Sequence, residues 1–265
     1  MRPRRPRVVA SDLDGTLVRT DGTISARSVA ALARAEVDGA LVVFVTGRPP
    51  RWMHPIVEAT GASGLAICAN GALVYDLGSG EIVREHALQP AAAAELVRAI
   101  RAALPGVHFA VESQLQFGHE PGYVPAWPAP GRRIARVEEL VAQPVAKLLV
   151  RHPEHGPEAI HQQVVDIAGE SAVVTYSGET LLEVSGAGVS KASTLAALCE
   201  ERGVDSHGVL AFGDMPNDIP MLGWAGLGVA VANAHPGVLA VADEVTASND
   251  DDGVALIIER EFPAR

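Results

Sequence analysis

Two patterns of apolar and polar positions divide the chain into outer parts and a middle part. In the first and last thirds, short continuous apolar runs alternate with segments whose apolar residues recur at helical spacing. The apolar runs are RVVAS, ALVVFVT, GLAICAN, GVLAFGD and GLGVAVAN. Continuous apolar runs are typical of strands buried on both faces of a parallel sheet that is covered by helices. The outer thirds therefore predict alternating strands and helices around one parallel sheet.

The middle of the chain has a mixed pattern that predicts a separate unit. The segment ALVYDLGSGEIVRE predicts a hairpin around Gly78–Gly80, and PAAAAELVRAIRAAL predicts a helix that ends at Pro105. The segment VHFAVESQLQFGHE alternates like one half-exposed strand, and the Pro- and Gly-rich stretch 118–131 predicts a loop. Further strands are expected in VAKLLVR, AVVTYS and TLLEVS, with a helix over PEAIHQQVVDIAG.

The expected fold class is α/β, with a Rossmann-like parallel-sheet core domain and an inserted mixed α/β domain. Residues 1–83 and 186–265 are expected to form the core, and residues 84–185 the insertion. Within the first part, TLVRTDGTIS predicts a small hairpin around Asp21 and Gly22. The segment PPRWMHPIVEATG predicts a helix that is broken near Pro55.

Composition and charge exclude several classes of protein. The chain has 265 residues, of which 48% are hydrophobic and 20% charged, as expected for one large or two smaller globular domains. Its net charge of −11 argues against a nucleic-acid partner, since phosphate backbones require clustered Lys and Arg. No apolar run approaches the roughly 18 residues of a membrane span, and the basic start MRPRRPR is followed by too few apolar residues for an export signal. We expect a cytoplasmic protein with buried free thiols at Cys68 and Cys199.

Three of the predicted strands end on polar residues. The first runs into Asp12 and Asp14, the second into Thr46-Gly47-Arg48, and a later one into Asp214 within GDMPND. Asp14-Gly15 alone would fit a turn, but Asp12 lies where the strand should still bury its side chains. In open parallel sheets, ligands bind beyond the carboxyl ends of the strands. These polar clusters are therefore expected to converge on one site.

Grouped carboxylates repel one another unless a cation lies among them. A hard divalent cation such as Mg²⁺ prefers oxygen ligands and also bridges to substrate phosphate. A lysine, Lys191, follows GAGVS at a predicted helix start, where anions are favoured. The segment is not a Walker phosphate loop, and taken alone Lys191 fits a solvated surface lysine better.

Taken together and in this order, DLDGT, VTGR, Lys191 and GDMPND resemble the four motifs of the haloacid dehalogenase superfamily. The segments NGALVY and NAHPGVLAVADEVTASNDDDGVA are similar to the Cof-type phosphatases, which carry a large α/β cap (class IIB). The resemblance covers roughly residues 7–85 and 185–260, whereas the insertion matches mainly in size and position. One small departure is Ala192, where many relatives have Gly.

The resemblance implies catalytic and metal-binding roles for three aspartates. Asp12 would be the nucleophile that forms an aspartyl-phosphate. Asp14 would protonate the leaving oxygen and then activate water. The cofactor would be Mg²⁺, held by the carboxylates of Asp12 and Asp214 and by the backbone carbonyl of Asp14.

The resemblance also implies a phosphate-binding set and supporting residues. Thr46, the Gly47 amide and Lys191 would hold the phosphoryl oxygens. Asn217 is expected to contact phosphate, and Asp218 to order the metal shell or Lys191. Two further residues each allow two interpretations. Arg48 either touches substrate or pairs with a core carboxylate, and Asn70 either lines the site or caps a turn.

The function expected from this resemblance is a Mg²⁺-dependent phosphatase of small phosphorylated metabolites, with sugar phosphates the first choice. The alternatives are a phosphomutase-like phosphotransferase and a non-catalytic binding or regulatory protein on this scaffold. Dehalogenation is disfavoured by Asp14, because cleaving a carbon–halogen bond needs no acid there. We expect a monomer or homodimer. His152 and His155 fit a surface loop better than a zinc site, and Trp127 fits loop packing better than stacking on a sugar.

Overall fold

The strands form two separate sheets that come from different parts of the chain. The computed structural model describes residues 5–125 and 131–264. The strands are β1 (Val8–Ser11), β2 (Leu41–Val45), β3 (Leu65–Cys68), β4 (Leu73–Asp76), β5 (Glu81–Glu85), β6 (His108–Ser113), β7 (Gln116–His119), β8 (Arg133–Ile134), β9 (Lys147–Arg151), β10 (Ala172–Thr175), β11 (Leu182–Gly186), β12 (Val209–Gly213), β13 (Leu227–Ala230) and β14 (Glu244–Val245). The helices are α1 (Ala26–Val37), α2 (His54–Thr60), α3 (Pro90–Ala103), α4 (Val137–Leu140), α5 (Pro157–Ala168), α6 (Lys191–Glu201), α7 (Ile219–Trp224), α8 (Pro236–Leu239) and α9 (Gly253–Glu261).

The first sheet has eight strands in the order β14-β13-β12-β1-β2-β3-β4-β5. Strands β14 to β3 are parallel, and β4 and β5 add an antiparallel edge. Strand β1 is central, since Val8 lies opposite both Val209 and Leu41. All four of its residues are buried, as expected for a strand covered on both faces. The α/β class and the parallel-sheet core predicted from the apolar runs are confirmed.

The second sheet has six strands in the order β10-β11-β9-β6-β7-β8, antiparallel apart from the β7–β8 pair. Its side chains alternate between two faces, as the two-residue period of a strand requires. One face packs against α3 and α5 through alternate apolar residues such as Phe109, Leu148 and Val184. The opposite face carries Glu112, Lys147 and other residues that line a cavity facing the first sheet.

The segment predicted as one half-exposed strand at 107–120 is a hairpin of β6 and β7. The turn between them contains Gln114 in the left-handed region at φ 52°. This prediction was wrong because the turn lacks Gly, Pro or Asn, so the apolar alternation runs through it without an obvious break. The hairpin places Phe117 directly opposite Glu112 on the cavity face.

Two local predictions concern the N-terminal third, of which the first, a small hairpin, is wrong. Around Asp21 and Gly22 the chain makes a tight turn without flanking strands, held by the Asp21 carboxylate, which accepts from the Thr23 backbone N–H. The predicted break near Pro55 is confirmed, since a short 3₁₀ turn at Pro50–Trp52 ends before α2 begins at His54, and Pro55 lies in the first turn of α2, where its missing N–H costs no intrahelical bond. Among the described residues the longest helix is α3 with 14 residues, and none is both long and apolar enough to cross a membrane.

Candidate active site

Three strand ends meet at the carboxyl edge of the first sheet. Strand β1 leads into Asp12, β2 into Thr46, and β12 into Asp214. Because β1 pairs with both β2 and β12, these residues lie side by side. The Asp12 backbone N–H also donates to the Phe212 carbonyl at 3.0 Å, which continues the pairing beyond the strands. The structure thus brings together clusters that lie up to about 200 residues apart in the sequence.

A buried carboxylate cluster forms at this edge. Oxygens of Asp12, Asp214 and Asp218 all lie within 4.8 Å of one another. The Lys191 ammonium donates to Asp12 Oδ1 and to Asp218 Oδ1, both at 2.7 Å. Lys191 is only 1% exposed, so it is not a solvated surface lysine. It is the first residue of α6, and the preceding Ser190 is the N-cap of this helix.

Burial and mutual repulsion shift the pKa values in this cluster. Burial raises the pKa of Asp12 well above its usual value, Lys191 opposes this, and Asp218 and Asp214 reinforce it. Burial and Asp218 together raise the pKa of Asp214 to about 6. Burial alone would lower the pKa of Lys191, but its two carboxylate partners raise it above the usual value. Three carboxylates and one ammonium leave a formal charge of −2, which a divalent cation would neutralise.

The hydrogen bonds show which of these oxygens could hold a cation. Asp218 accepts from Lys191 with one oxygen and from the backbone N–H groups of Asp214 and Met215 with the other, both at 3.1 Å. It therefore orders Lys191 and the loop around Asp214. Asp214 accepts from the Thr16 hydroxyl at 2.7 Å through Oδ1. The donor set of Asp12 and Asp214 fits a hard cation such as Mg²⁺.

Gly15 makes room for the Asp214 carboxylate. A side chain at this position would overlap Asp214 Oδ2, and the backbone has φ +78°, which favours glycine. The turn after β1 can therefore approach the end of β12 closely. This approach keeps the backbone between Asp12 and Thr16 beside the carboxylate cluster.

The Asp14 carboxylate lies outside the cluster and pairs with Arg48. Arg48 donates from Nε to Asp14 Oδ2 at 2.7 Å and from Nη2 to Oδ1 at 2.5 Å. These hydrogen bonds are the largest cause of a raised pKa of Arg48. Of the two interpretations of Arg48, the structure shows pairing with a core carboxylate. The Asp14 side chain is still 59% exposed toward the cavity.

The remaining predicted site residues form a connected group at the end of β2. Thr46 is buried, and its hydroxyl accepts from the Arg48 backbone N–H at 3.0 Å. The Asn70 backbone N–H donates to the Thr46 carbonyl at 3.1 Å, and Asn70 adopts a left-handed conformation at φ 57°. The Asn217 amide donates to Asn70 Oδ1 at 3.1 Å. Asn70 therefore connects the ends of two site segments rather than capping a remote turn.

A cavity of about 690 Å³ lies between the first sheet's strand ends and the face of the second sheet. Two ion pairs on this face were not predicted from the sequence. Lys147 is paired with Glu183, both nearly fully buried, and also donates to the Gly47 carbonyl at 2.9 Å. Burial alone would raise the pKa of Glu183, but Lys147 outweighs it and the pKa is lowered. The Ser177 hydroxyl donates to Glu183 at 2.6 Å.

The second ion pair also joins the two sheets. Arg51 lies in a short 3₁₀ turn after β2 and donates from both terminal nitrogens to Glu112 on β6. The signal for both pairs was a charged residue beside apolar ones in KLLVR, HFAVES and LEVSG. A charged residue within a buried strand is expected to face a site or another charge.

The weaker candidates do not form a second site. The rings of His152 and His155 stack at 4.5 Å near the surface, and His152 Nε2 lies 3.1 Å from the Pro105 carbonyl. Within residues 5–125 and 131–264, the cluster of Asp12, Asp214 and Asp218 is the group of acidic, His or Cys side chains spaced to hold a metal. Trp127 lies outside the described residues.

Comparison with known proteins places the chain in a family. The profile of haloacid dehalogenase-like hydrolases matches residues 9–258. The pyridoxal phosphate phosphatase YbhA of Escherichia coli (strain K12) is 29% identical over 272 residues, which cover 95% of this chain and 97% of that protein. A 5-amino-6-(5-phospho-D-ribitylamino)uracil phosphatase of Bacillus subtilis (strain 168), YitU, is 28% identical over 267 residues, covering 97% of this chain and 98% of that protein.

The fold is shared with solved structures over nearly the whole length. BT1666 from Bacteroides thetaiotaomicron, one of the phosphatases of the haloalkanoate (HAD) superfamily, superposes with a TM-score of 0.81 at 26% identity, covering 97% of this chain and 95% of that one. The match spans both sheets, so the likeness includes the insertion as well as the motifs. The chain therefore belongs to the haloacid dehalogenase-like hydrolases.

Proposed function

We propose that the chain is a Mg²⁺-dependent phosphatase that hydrolyses small phosphorylated metabolites through an aspartyl-phosphate on Asp12. The observation that carries this proposal is the buried Asp12 carboxylate at the end of β1, held by Lys191 and facing the cavity. The names of the relatives, phosphatases of pyridoxal phosphate and of a ribitylaminouracil phosphate, support this class of substrate.

In the first step, a carboxylate oxygen of Asp12 attacks phosphorus and the bond from phosphorus to the ester oxygen breaks. The leaving alkoxide takes a proton from Asp14. A rigid nucleophile favours this step, and Asp12 is fixed by Lys191 and by a backbone hydrogen bond to β12. Asp14 is well placed for the proton transfer because its side chain reaches the cavity from the loop two residues later.

In the second step, water attacks the phosphorus of the aspartyl-phosphate, gives a proton to Asp14 and releases Asp12. The pair with Arg48 engages both Asp14 oxygens, so Arg48 competes with substrate or water for the oxygen that exchanges the proton. We propose that Arg48 releases at least one of these oxygens when substrate binds. Its guanidinium would then be available to the phosphoryl group or the leaving group.

The phosphoryl oxygens would be held by Thr46, the Gly47 backbone N–H, Lys191 and Asn217. These groups come from separate segments, and Asn70 keeps the β2 end and Asn217 in contact. Phosphoryl transfer depends on positioning and on neutralising charge at the equatorial oxygens. Mg²⁺, when bound by Asp12, Asp214 and the Asp14 backbone carbonyl, would supply charge neutralisation for the phosphoryl group.

We propose that residues 84–185 act as the cap that selects the substrate. Residues of this segment, including Glu112 and Lys147, form one side of the cavity, whereas the reacting carboxylates lie on the other. A cavity of about 690 Å³ suits a small metabolite and not a phosphorylated protein. The unpaired, buried thiols of Cys68 and Cys199 support the proposal of a cytoplasmic location.

The proposal is tested by phosphate release from a panel of phosphorylated metabolites in the presence of Mg²⁺. The full-length protein is expected to hydrolyse at least one class, and Asp12→Asn to lose about 10³-fold or more in rate, as for other nucleophiles. Transfer of phosphate to an added sugar, giving an isomeric sugar phosphate, would instead indicate a phosphomutase-like enzyme. Turnover that survives in Asp12→Asn would disprove the assigned nucleophile.

A further inference from the structure

One part of the cavity wall contributed by the insertion is apolar. Leu149 and Tyr123 pack together with Ala110, and Phe117 and Leu181 extend this cluster. Four of these five side chains line the cavity; they are Phe117, Tyr123, Leu149 and Leu181. The wall lies next to the charged row of the sheet, because Leu149 is two residues from Lys147 on β9.

The part of the chain that forms the first sheet contributes a further aromatic side chain to the same cavity. Trp52 lines it from the short turn after β2. The Arg51 guanidinium lies 5.2 Å from the centre of the Trp52 ring and 5.6 Å from the centre of the Phe117 ring. Arg51 thereby joins the two aromatic walls into one surface. A ligand whose phosphate lies at Asp12 would meet this surface with its other end.

The buried polar groups beside this wall already have partners. Glu112 is bound to Arg51, and Lys147 to Glu183 and the Gly47 carbonyl. Among the described residues the Tyr123 hydroxyl forms no hydrogen bond, and burial raises the pKa of Tyr123 above its usual value, so it stays a neutral donor. Glu179 and Thr180 also border the cavity, but both are exposed.

This distribution disfavours a polyol. A sugar carries several hydroxyl groups, and each one placed against the apolar wall would lose its hydrogen bonds to water without replacement. A planar ring loses little on leaving water and gains contact with Phe117, Leu149 and Trp52. One polar substituent on such a ring could bond to the Tyr123 hydroxyl.

We propose that the substrate is a phosphate monoester of an aromatic or heteroaromatic alcohol, with the ring against this wall and the phosphate at Asp12. The inference rests on the proposed phosphatase function and narrows its substrate class. It replaces sugar phosphates, the first choice from the sequence, because the wall offers too few free polar partners for them.

The test compares three phosphates on the full-length protein with Mg²⁺. Benzyl phosphate and glucose 6-phosphate are both esters of primary alcohols, so they differ mainly in what the cavity must hold. Acetyl phosphate has no ring and reports phosphoryl transfer alone. We expect kcat/KM for benzyl phosphate to exceed that for glucose 6-phosphate by about 30-fold or more, the effect of burying one ring.

Variants of the apolar wall test whether it is the source of the preference for benzyl phosphate. Phe117→Ala is expected to lower kcat/KM for benzyl phosphate about tenfold more than for acetyl phosphate. Leu181→Ser, at a half-buried position, is expected to act in the same direction. The matched control is Leu115→Ala, since Leu115 is on the same hairpin but is 52% exposed and outside the cavity. This variant should leave kcat/KM unchanged for both benzyl phosphate and acetyl phosphate. Thermal melting verifies that each variant is folded.

Different outcomes separate the two proposals. If glucose 6-phosphate is hydrolysed as well as benzyl phosphate or better, the ring assignment is overturned and the phosphatase function stands. Equal losses on benzyl and acetyl phosphate in both wall variants would also overturn it. If none of the three phosphates is hydrolysed, the proposed function fails and the inference fails with it.

Discussion

Lys147 on β9 donates a hydrogen bond of 2.9 Å to the backbone carbonyl oxygen of Gly47, which follows β2 in the other sheet. The same ammonium pairs with Glu183 on β11. The second sheet is therefore fastened to the loop whose Gly47 N–H is proposed to hold phosphate. This contact exists only when the two sheets are in their present arrangement, so it ties the position of the insertion to the geometry of the loop.

Replacing Lys147 by Met should affect both stability and turnover. The change leaves the Glu183 carboxylate buried without its partner, which typically costs about 3–5 kcal/mol in free energy of unfolding. It also removes the contact with Gly47, so kcat/KM should fall. Urea unfolding and steady-state kinetics measure the two effects separately.

The double variant Lys147→Met with Glu183→Leu distinguishes these effects. Apolar replacement of both members of a buried pair is often neutral for stability. We expect the double variant to unfold near the wild-type urea midpoint while kcat/KM stays as low as in Lys147→Met. Recovery of activity together with stability would mean that the Gly47 contact has no role in positioning the loop.

Replacing Asp12 by Asn and replacing Asp14 by Asn should impair different steps of the reaction. In Asp14→Asn the nucleophile remains, and a nitrophenolate leaves without protonation, so the first step with an aryl phosphate should largely survive. The second step lacks its base, so a burst of nitrophenol should be followed by accumulation of phosphate on Asp12. Rapid-quench kinetics and mass analysis of the Asp12 peptide report both events. Asp12→Asn should give no burst, and its absence in Asp14→Asn as well would leave the acid–base role unassigned.

A divalent cation should stabilise the folded protein because it neutralises the buried carboxylate cluster. We expect Mg²⁺ to raise the melting temperature of the chelator-treated protein and to restore its turnover. In Asp214→Asn this rise should be largely lost, whereas the surface variant Asp166→Asn should keep it. Full activity in excess chelator, or an unchanged Mg²⁺ response in Asp214→Asn, would contradict the metal assignment.

Both cysteines should be unreactive in the native state. Burial raises the pKa of Cys68 to about 12 and that of Cys199 to about 11, so at neutral pH both remain protonated. A raised pKa reduces the thiolate, which is the reactive form, by about a thousandfold at Cys68. Labelling with a disulfide reagent should therefore be slow in buffer, speed up as pH rises, and become rapid in urea. Fast stoichiometric labelling of the folded protein would show that a thiol is accessible.

The sequence predicted the first sheet and its strand-end residues well, because a buried parallel strand is a continuous apolar run and its carboxyl end is marked by the first carboxylate. The apolar pattern alone did not predict that Asp218 joins the carboxylate cluster while the Asp14 side chain lies outside it; the expected contact of Asp218 with Lys191 came from the family resemblance. That outcome depends on Arg48 engaging Asp14 and on a loop geometry with no local signature. The contacts of Lys147 and Arg51 could not be predicted from the sequence either, since they depend on how the two sheets are placed relative to each other.

The pairing of β1 with β12 has a consequence for how the protein is made. Val8 and Val209 are neighbours in space but about 200 residues apart in the chain, whereas the strands of the second sheet all come from one continuous stretch ending at Gly186. During synthesis, the second sheet can close while the central strand of the first has β2 beside it but still lacks its second partner, β12. We expect refolding to protect the Leu148 amide from hydrogen exchange before that of Ala211, because contacts of high sequence separation form slowly. The carboxylate cluster would then be assembled last, on a chain whose second sheet is already folded.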